Sequence, residues 1–324
     1  MKGAFRGLVK PEYHVIRAVD DIDFTIETGE SVGYVGPNGS GKSTTIKMLS
    51  GILTPTQGTV HINGLVPTKE RMKNNQHIGV VFGNRSQLWW DVPVIESFRL
   101  LQKSYEVPQE LFDHNLEEFT DILDLKTFLN TPERQLSLGQ KMRCNITAAF
   151  LHNPEVVYLD EPTIGLDAES KYRIREFIRR INQERKTTFI VTSHDFQDIE
   201  ALCKRIILIN HGKVIMDSNM NQVKKKFNQF KSVKFIIRPK TNIKAEELRL
   251  YGVSFKESGP YSIEAEYEVT KTDAMKVIEY VSRYYEVEDV AISGRDIEAI
   301  IQDILRQNEG IIGKKALDER CQNV

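Results

Sequence analysis

The stretch Gly36-Pro37-Asn38-Gly39-Ser40-Gly41-Lys42-Ser43-Thr44 constrains this chain more than any other, because it fits G-x-x-x-x-G-K-[ST] in the right context. The apolar Ser31-Val32-Gly33-Tyr34-Val35 reads as a strand just before it. Thr45-Ile46-Lys47-Met48-Leu49 reads as the helix just after it. Gly39 and Gly41 allow a turn whose N–H groups point at phosphate oxygens, and the helix N-terminus adds partial positive charge. Lys42 supplies a point charge for the β- and γ-phosphates, and Ser43 a hydroxyl for Mg²⁺. A Gly-rich turn that merely happens to fit would not be flanked by strand and helix in this order. The stretch is a nucleotide triphosphate site.

Composition narrows the partners. A chain of 324 residues, 40% hydrophobic and 27% charged, has the make-up of an ordinary globular protein with one large domain and a smaller one, or two medium ones. Its net charge of −1 supplies no bulk attraction to phosphate backbones, so no nucleic-acid partner is expected. Cys144, Cys203 and Cys321 are too far apart for a metal-ligand spacing and suit a reducing compartment. No apolar run approaches the roughly 20 residues that cross a bilayer. The N-terminus has no signal-peptide h-region. The expected location is the cytoplasm, with any membrane role exercised through a partner.

Taken in order, residues 1–13 read as a solvated leader carrying Lys2, Arg6 and Lys10. Ala18 to Ile26 alternates polar with apolar residues as a half-buried strand does, and Thr59-Val60-His61-Ile62 reads as another, so an antiparallel β subdomain is expected around the phosphate loop. A short strand ends at Gly79-Val80-Val81-Phe82. Residues 85–150 form a helical insertion, with apolar positions at helical spacing over 95–105, 109–125 and 139–151. The apolar strand Val156-Val157-Tyr158-Leu159 then ends in Asp160-Glu161, a helix runs over 168–185, and Thr188 to Thr192 is a strand. Strands alternating with helices mean an α/β core with a largely parallel sheet. From Val223 the style changes to a small α+β appendage over 223–309. It has a strand over 232–237, a hairpin near Ser258-Gly259-Pro260, a helix over 272–284, a strand over 287–292 and a helix over 296–306. Residues 310–324 are expected to be a disordered tail. The nucleotide-binding domain is thus 1–222.

Asp160 and Glu161 end a strand, where active-site groups of open α/β sheets sit. An Asp there can hold the Mg²⁺ shell, and a second carboxylate can orient or deprotonate the attacking water. Alone, an Asp-Glu pair ahead of a helix would read as an N-cap. It stands with Leu136-Ser137-Leu138-Gly139-Gln140 before it, with Gly165-Leu166-Asp167 after it, and with His194 in Thr192-Ser193-His194-Asp195 after the next strand.

These five motifs in this order resemble the ATP-binding subunits of ABC transporters, over about residues 10–220. Gly36–Thr44 resembles their Walker A, Val156–Glu161 their Walker B, Leu136–Gln140 their signature, Gly165–Asp167 their D-loop and His194 their switch histidine. Tyr13 matches the aromatic that stacks on adenine. The resemblance implies a P-loop NTPase fold of the ABC ATPase type, with ATP and Mg²⁺ as cofactors. It implies that Glu161, His194, Lys42 and Asn84 are catalytic, and that Ser43, Asp160 and Asn84 surround the metal. It also implies head-to-tail pairing with a second ATPase subunit, a homodimer or a paralogue. Ser137, Gly139, Gln140 and Asp167 would then face the nucleotide held by the other subunit's loop, and dimerisation would be the force stroke. Gly83 to Val94 and Thr163 to Asp167 look most like uncharacterised ABC-2 type export systems, whose permeases are separate chains. The region Gln87–Val92, with Trp89 and Trp90, is where that family receives a cytoplasmic helix of the permease. The resemblance therefore places the chain on the inner face of the cell membrane as a peripheral subunit.

Two departures stand out. Leu138 replaces the usual Gly of the signature, beside the Ser137 and Gly139 that make the contacts. The loop after Phe82 has Asn84 where the family places a Gln that reaches Mg²⁺ and the water; Gln87 falls three residues late. Asn84 is the preferred candidate, with Gln87 the alternative. A soluble ABC ATPase acting in translation, DNA repair or nucleotide sensing is the other functional reading. No Asn-Lys-x-Asp guanine-reading segment is present, which argues against a GTPase.

Overall fold

The computed structural model describes residues 16–83, 85–227, 230–239, 244–294 and 297–308. The chain divides into two compact units at Asp217/Ser218, a few residues before the change of style at Val223.

The first unit is built on a six-stranded sheet. Its elements are β1 (Ser31–Val35), α1 (Lys42–Leu49), α2 (Arg71–His77), β2 (Ile78–Phe82), α3 (Val94–Ser104), α4 (Gln109–Ile122), α5 (Leu138–Phe150), β3 (Val156–Asp160), α6 (Ala168–Arg185), β4 (Thr188–Thr192), α7 (Phe196–Leu202), β5 (Arg205–Asn210) and β6 (Lys213–Asn219). The strand order is β2-β3-β4-β1-β5-β6. The pairs β2/β3, β3/β4, β4/β1 and β1/β5 are parallel. β1 and β4 are buried at every position, as strands covered on both faces must be. The turn from β5 to β6 is His211-Gly212, both with positive φ, the conformation that closes a two-residue hairpin.

Register positions the site. Phe82 and Thr192 flank Asp160 in register at the C-terminal ends of β2, β4 and β3. The residues just beyond them, at 83, 161 and 193, therefore leave the sheet along one edge, beside the loop that leaves β1.

Helices α5 and α6 explain the rest. Ile174, Phe177, Ile178 and Ile181 make one buried stripe on α6. Phe177 meets Phe119 of α4 and Phe150 of α5 edge-on, each at 5.0 Å between ring centroids. Each such contact adds about 0.5–1.5 kcal/mol beyond burial. This aromatic cluster fixes the C-terminal half of α5 against α6, and so sets how their N-termini meet.

The alternating stretches at 18–26 and 59–62 are half-buried as their pattern demands, with Phe24, Ile26, Val60 and Ile62 packed on the core beside Tyr34. Among the described residues neither stretch belongs to a ladder strand, and the one bridge there is Ile62 to Leu65. A period of two encodes one-sided burial, and extended chain lying on a core satisfies it without a strand partner. Of the expected antiparallel β subdomain, the described residues show this packed extended chain. Helices α2 and α7, at seven residues each, were too short to register as periodic.

The second unit contains α8 (Met220–Phe227), β7 (Phe230–Pro239), β8 (Val253–Gly259), β9 (Ser262–Glu268), α9 (Ala274–Ser282), β10 (Tyr285–Gly294) and α10 (297–308). Its four-stranded sheet has the order β10-β7-β9-β8, antiparallel throughout. Val233, Phe235 and Ile237 of β7 alternate inward and meet Ile263, Ala265 and Tyr267 of β9 and Val277 and Val281 of α9. Asp273 caps α9 by accepting from the Lys276 N–H at 3.0 Å. Among the described residues no helix is long and apolar enough to cross a membrane.

Candidate active site

The loop from β1 to α1 closes tightly over the sheet edge. A Cβ on Gly36 would stand 2.0 Å from the Ile209 carbonyl oxygen, and one on Gly41 2.4 Å from that of Ala18. Gly41 also has φ +110, a conformation that other residues rarely adopt. The first intrahelical bond runs from the Thr45 N–H to the Gly41 carbonyl at 2.9 Å, which leaves the earlier N–H groups of α1 for a ligand. Pro37, Asn38, Gly39, Ser40 and Thr44 complete the loop, with Asn38 and Gly39 exposed and Ser40 buried.

Lys42 folds back over this loop. Its Nζ donates to the carbonyls of Gly36 at 2.6 Å and Pro37 at 3.0 Å. Burial lowers its pKa, opposed by the charges of Glu161 and Asp160. The two carboxylates help keep the ammonium charged in its half-dry cradle, and that charge is what an anion would meet.

Asp160 is held at both oxygens: Ser43 Oγ donates to one at 3.3 Å, and Thr192 Oγ1 to the other at 2.6 Å. Glu161, next along, has φ +56, an uncommon conformation for a residue with a side chain. Its N–H is anchored by the Thr192 carbonyl at 3.1 Å, which turns the carboxylate off the line of the strand. There His194 meets it twice, the backbone N–H donating at 3.1 Å and Nε2 lying 3.3 Å from the other oxygen. Burial raises the pKa of Glu161, while His194 and Lys42 pull it back down. A carboxylate with a raised pKa is a better proton acceptor than an ordinary one. Sequence reading missed Thr192; its only signal was its place at the end of the strand paired with β3.

The signature and the Asp167 turn lie side by side. Ser137 caps α5 in a reciprocal box: Ser137 Oγ accepts from the Gln140 N–H at 3.2 Å, and Gln140 Oε1 accepts from the Ser137 N–H at 2.9 Å. The Ser137 hydroxyl proton is left to donate outward. Asp167 caps α6, accepting from the N–H of Ser170 at 2.8 Å and from its hydroxyl at 2.9 Å. A Cβ on Gly139 would meet Ser170 Oγ at 2.5 Å, so only glycine lets the two helix starts approach this closely. Two helix N-termini, each with partial positive charge, therefore open at the same surface. Leu138 stands exposed there, close to Gly165.

Of the two amide candidates the structure describes Gln87. Gln87 is turned inward: its N–H donates to Asn145 Oδ1 at 2.7 Å and its Nε2 to the Val80 carbonyl at 2.7 Å. Its amide is committed to β2. Gly83, one residue before Asn84, donates its N–H to the Asp160 carbonyl at 2.8 Å, so the chain at this point runs alongside the carboxylates. Asn84 itself and Tyr13 lie outside the described residues, as do the leader and the tail.

Trp89 and Trp90 are 44% and 60% exposed. Lys141 Nζ stands 5.0 Å from the Trp90 ring centre, and Arg134 pairs with Asp91 at 3.0 Å.

Residues 19–164 match the family model described as ABC transporter. The chain is similar to the ABC transporter ATP-binding protein NatA of Bacillus subtilis, with 33% identity over 201 residues, covering 62% of this chain and 81% of that one. The linearmycin resistance ATP-binding protein LnrL of the same organism is 35% identical over 207 residues, 64% of this chain and 66% of that one. Among solved structures, a dimeric ATP-binding cassette in a post-hydrolysis state bound to ADP and Pi aligns with a TM-score of 0.58 and 28% identity, over 65% of this chain and 94% of that one.

Proposed function

The chain belongs to the ATP-binding subunits of ABC transporters, and on that premise we propose that it drives export through a separate ABC-2 type permease by ATP-dependent pairing of two subunits. It is an ATPase. The observation that carries the finer reading is the unequal finish of the site: Lys42, Asp160, Glu161 and His194 converge within one chain, while Ser137 and the α5 N-terminus face outward.

In this reading the N–H groups of α1 and the Lys42 ammonium bind the triphosphate. The oxygens of Ser43 and Asp160, 3.3 Å apart, are the hard donors that Mg²⁺ takes together with phosphate oxygens and water, so the residues present fit the metal. Bound there, Mg²⁺ would neutralise charge on the phosphates. Asn84 is the proposed amide of this set. Glu161 orients the attacking water and accepts its proton as the new P–O bond forms and the bond to the leaving diphosphate breaks. His194 keeps the Glu161 carboxylate in place. Ser137, Gly139, Gln140 and Asp167 of one subunit complete the site of the other. Tyr13 is the proposed adenine platform.

Closure favoured by ATP and opened by hydrolysis gives a permease two states to follow. The proposed docking surface is Gln87–Val92, where two exposed tryptophans provide the amphipathic anchors that interfaces favour. This places the subunit on the inner face of the cell membrane. Export is supported by the likeness to LnrL, a resistance ATP-binding protein. The unit from 218 onward is proposed as an accessory domain.

The test is capture of the tagged chain from detergent-solubilised native membranes. One or two polytopic proteins should co-purify and be lost with Trp89→Ala, nucleotide binding being unchanged. Ribosomes or repair proteins in their place would move the chain to the soluble ABC ATPases, and a permease recovered with an import-type substrate-binding protein would reverse the direction.

A further inference from the structure

Asp198, in the first turn of α7, is fully buried. A carboxylate in that position persists only if its charge and lone pairs are satisfied. Here one oxygen accepts from Thr163 Oγ1 and from Ser193 Oγ, the latter at 3.3 Å. The other accepts from the Arg175 guanidinium at both Nε and Nη2. Arg175 is mostly buried, and its nearest other acid, Asp195, is paired to Lys171 at 2.7 Å.

What matters is where these donors come from. Thr163 lies two residues past Glu161 and opens the turn that leads through Gly165 to Asp167. Ser193 immediately precedes His194. Arg175 sits on α6, whose N-cap is Asp167. A single carboxylate thus ties together the chain on both sides of the Glu161–His194 pair and the helix that starts at Asp167. Glu161 is anchored at its N–H by Thr192 and at one carboxylate oxygen by the His194 N–H.

We infer that Asp198, with Arg175 as its counter-charge, is a positioning residue for hydrolysis: it fixes the His194 loop against the 163–167 turn so that Glu161, His194 and Asp167 keep one common geometry. It touches none of the phosphate-binding groups, so it acts on the chemical step and leaves ATP binding alone. The inference rests on the hydrolytic roles proposed for Glu161 and His194.

The test is steady-state ATP hydrolysis by the full chain, normalised to ATP-binding sites. Asp198→Asn should lower kcat about 10²-fold, the cost of roughly 1 Å of misplacement, with KM for ATP changed less than about threefold. Arg175→Lys should recover part of the kcat that Arg175→Met loses. A purely structural role predicts a lower melting temperature with kcat per binding site unchanged, and that result would overturn the inference. If Asp198→Asn does not fold, Thr163→Val and Ser193→Ala each remove one donor. Each should lower kcat several-fold at constant KM, and the pair should fall short of the product of the two, as members of one network do; unchanged kcat in both would reject the inference. If Glu161→Gln hydrolyses ATP at the parent rate, the roles proposed for the carboxylates fail first, and that failure is distinguishable from this one.

Discussion

The two faces of the nucleotide-binding unit are finished differently. On the phosphate side each charged group has a partner within the chain: Lys42 two carbonyls, Asp160 two hydroxyls, Glu161 the backbone and ring of His194. On the signature side Ser137 and Asp167 spend their acceptors on capping their own helices, and apolar Leu138 and Ile164 stand 52% and 48% exposed. The first face resembles an enzyme site already organised for charge; the second resembles half of an interface, with donors aimed outward and apolar residues beside them. The difference suggests that chemistry is stored on one face and control on the other.

The largest effect should come from the phosphate side. Lys42→Ala removes the buried cation and should lower kcat about 10²–10³-fold. It should also weaken ATP binding by the isolated chain, measured by titration calorimetry. Ser137→Ala sharpens the contrast. It should leave that binding within about twofold of the parent while lowering kcat about 10–100-fold, the worth of one hydrogen bond to a charged group. Loss of its cap should cost about 1 kcal/mol of stability whatever the partner does. Equal losses of ATP affinity in the two variants would erase the distinction between the faces.

The smallest effect is one of pH. Glu161 must be unprotonated to accept a proton, and burial raises its pKa above the ordinary 4.5. Its protonation therefore begins at higher pH than for an ordinary glutamate, and the acid limb of kcat should be displaced upward correspondingly. Lys42 must stay charged and has its pKa lowered, so its loss belongs to the alkaline limb. A profile over about pH 4 to 10 reads both. An acid limb at the ordinary carboxylate value would mean that Glu161 is better solvated than its burial implies.

How much of this could be read from sequence follows the locality of the signal. The phosphate loop was legible because glycine, lysine and serine at fixed spacing have one chemistry in common. α6 was legible over its whole length because Asp167 caps it and its apolar residues recur at helical spacing. The segment 18–26 reveals its buried side because a period of two is a local signal, whereas pairing depends on residues elsewhere in the chain. Spacing offers both Asn84 and Gln87 as the amide and carries no sign of the bond from Gln87 to the Val80 carbonyl. Asp198 carried no signal at all. An acid within a short helix reads as solvent-facing, and only the fold brings Arg175 and Thr163 to it.

The most direct test of the composite site is the mass of the Glu161→Gln variant by multi-angle light scattering, with and without saturating ATP and Mg²⁺. Slowed hydrolysis should hold the signature of each subunit on the nucleotide of the other, so the account predicts a monomer without ATP and a dimer with it. That dimer should revert to monomer when Ser137→Ala is added. A variant that binds ATP and remains monomeric at saturation would contradict the account.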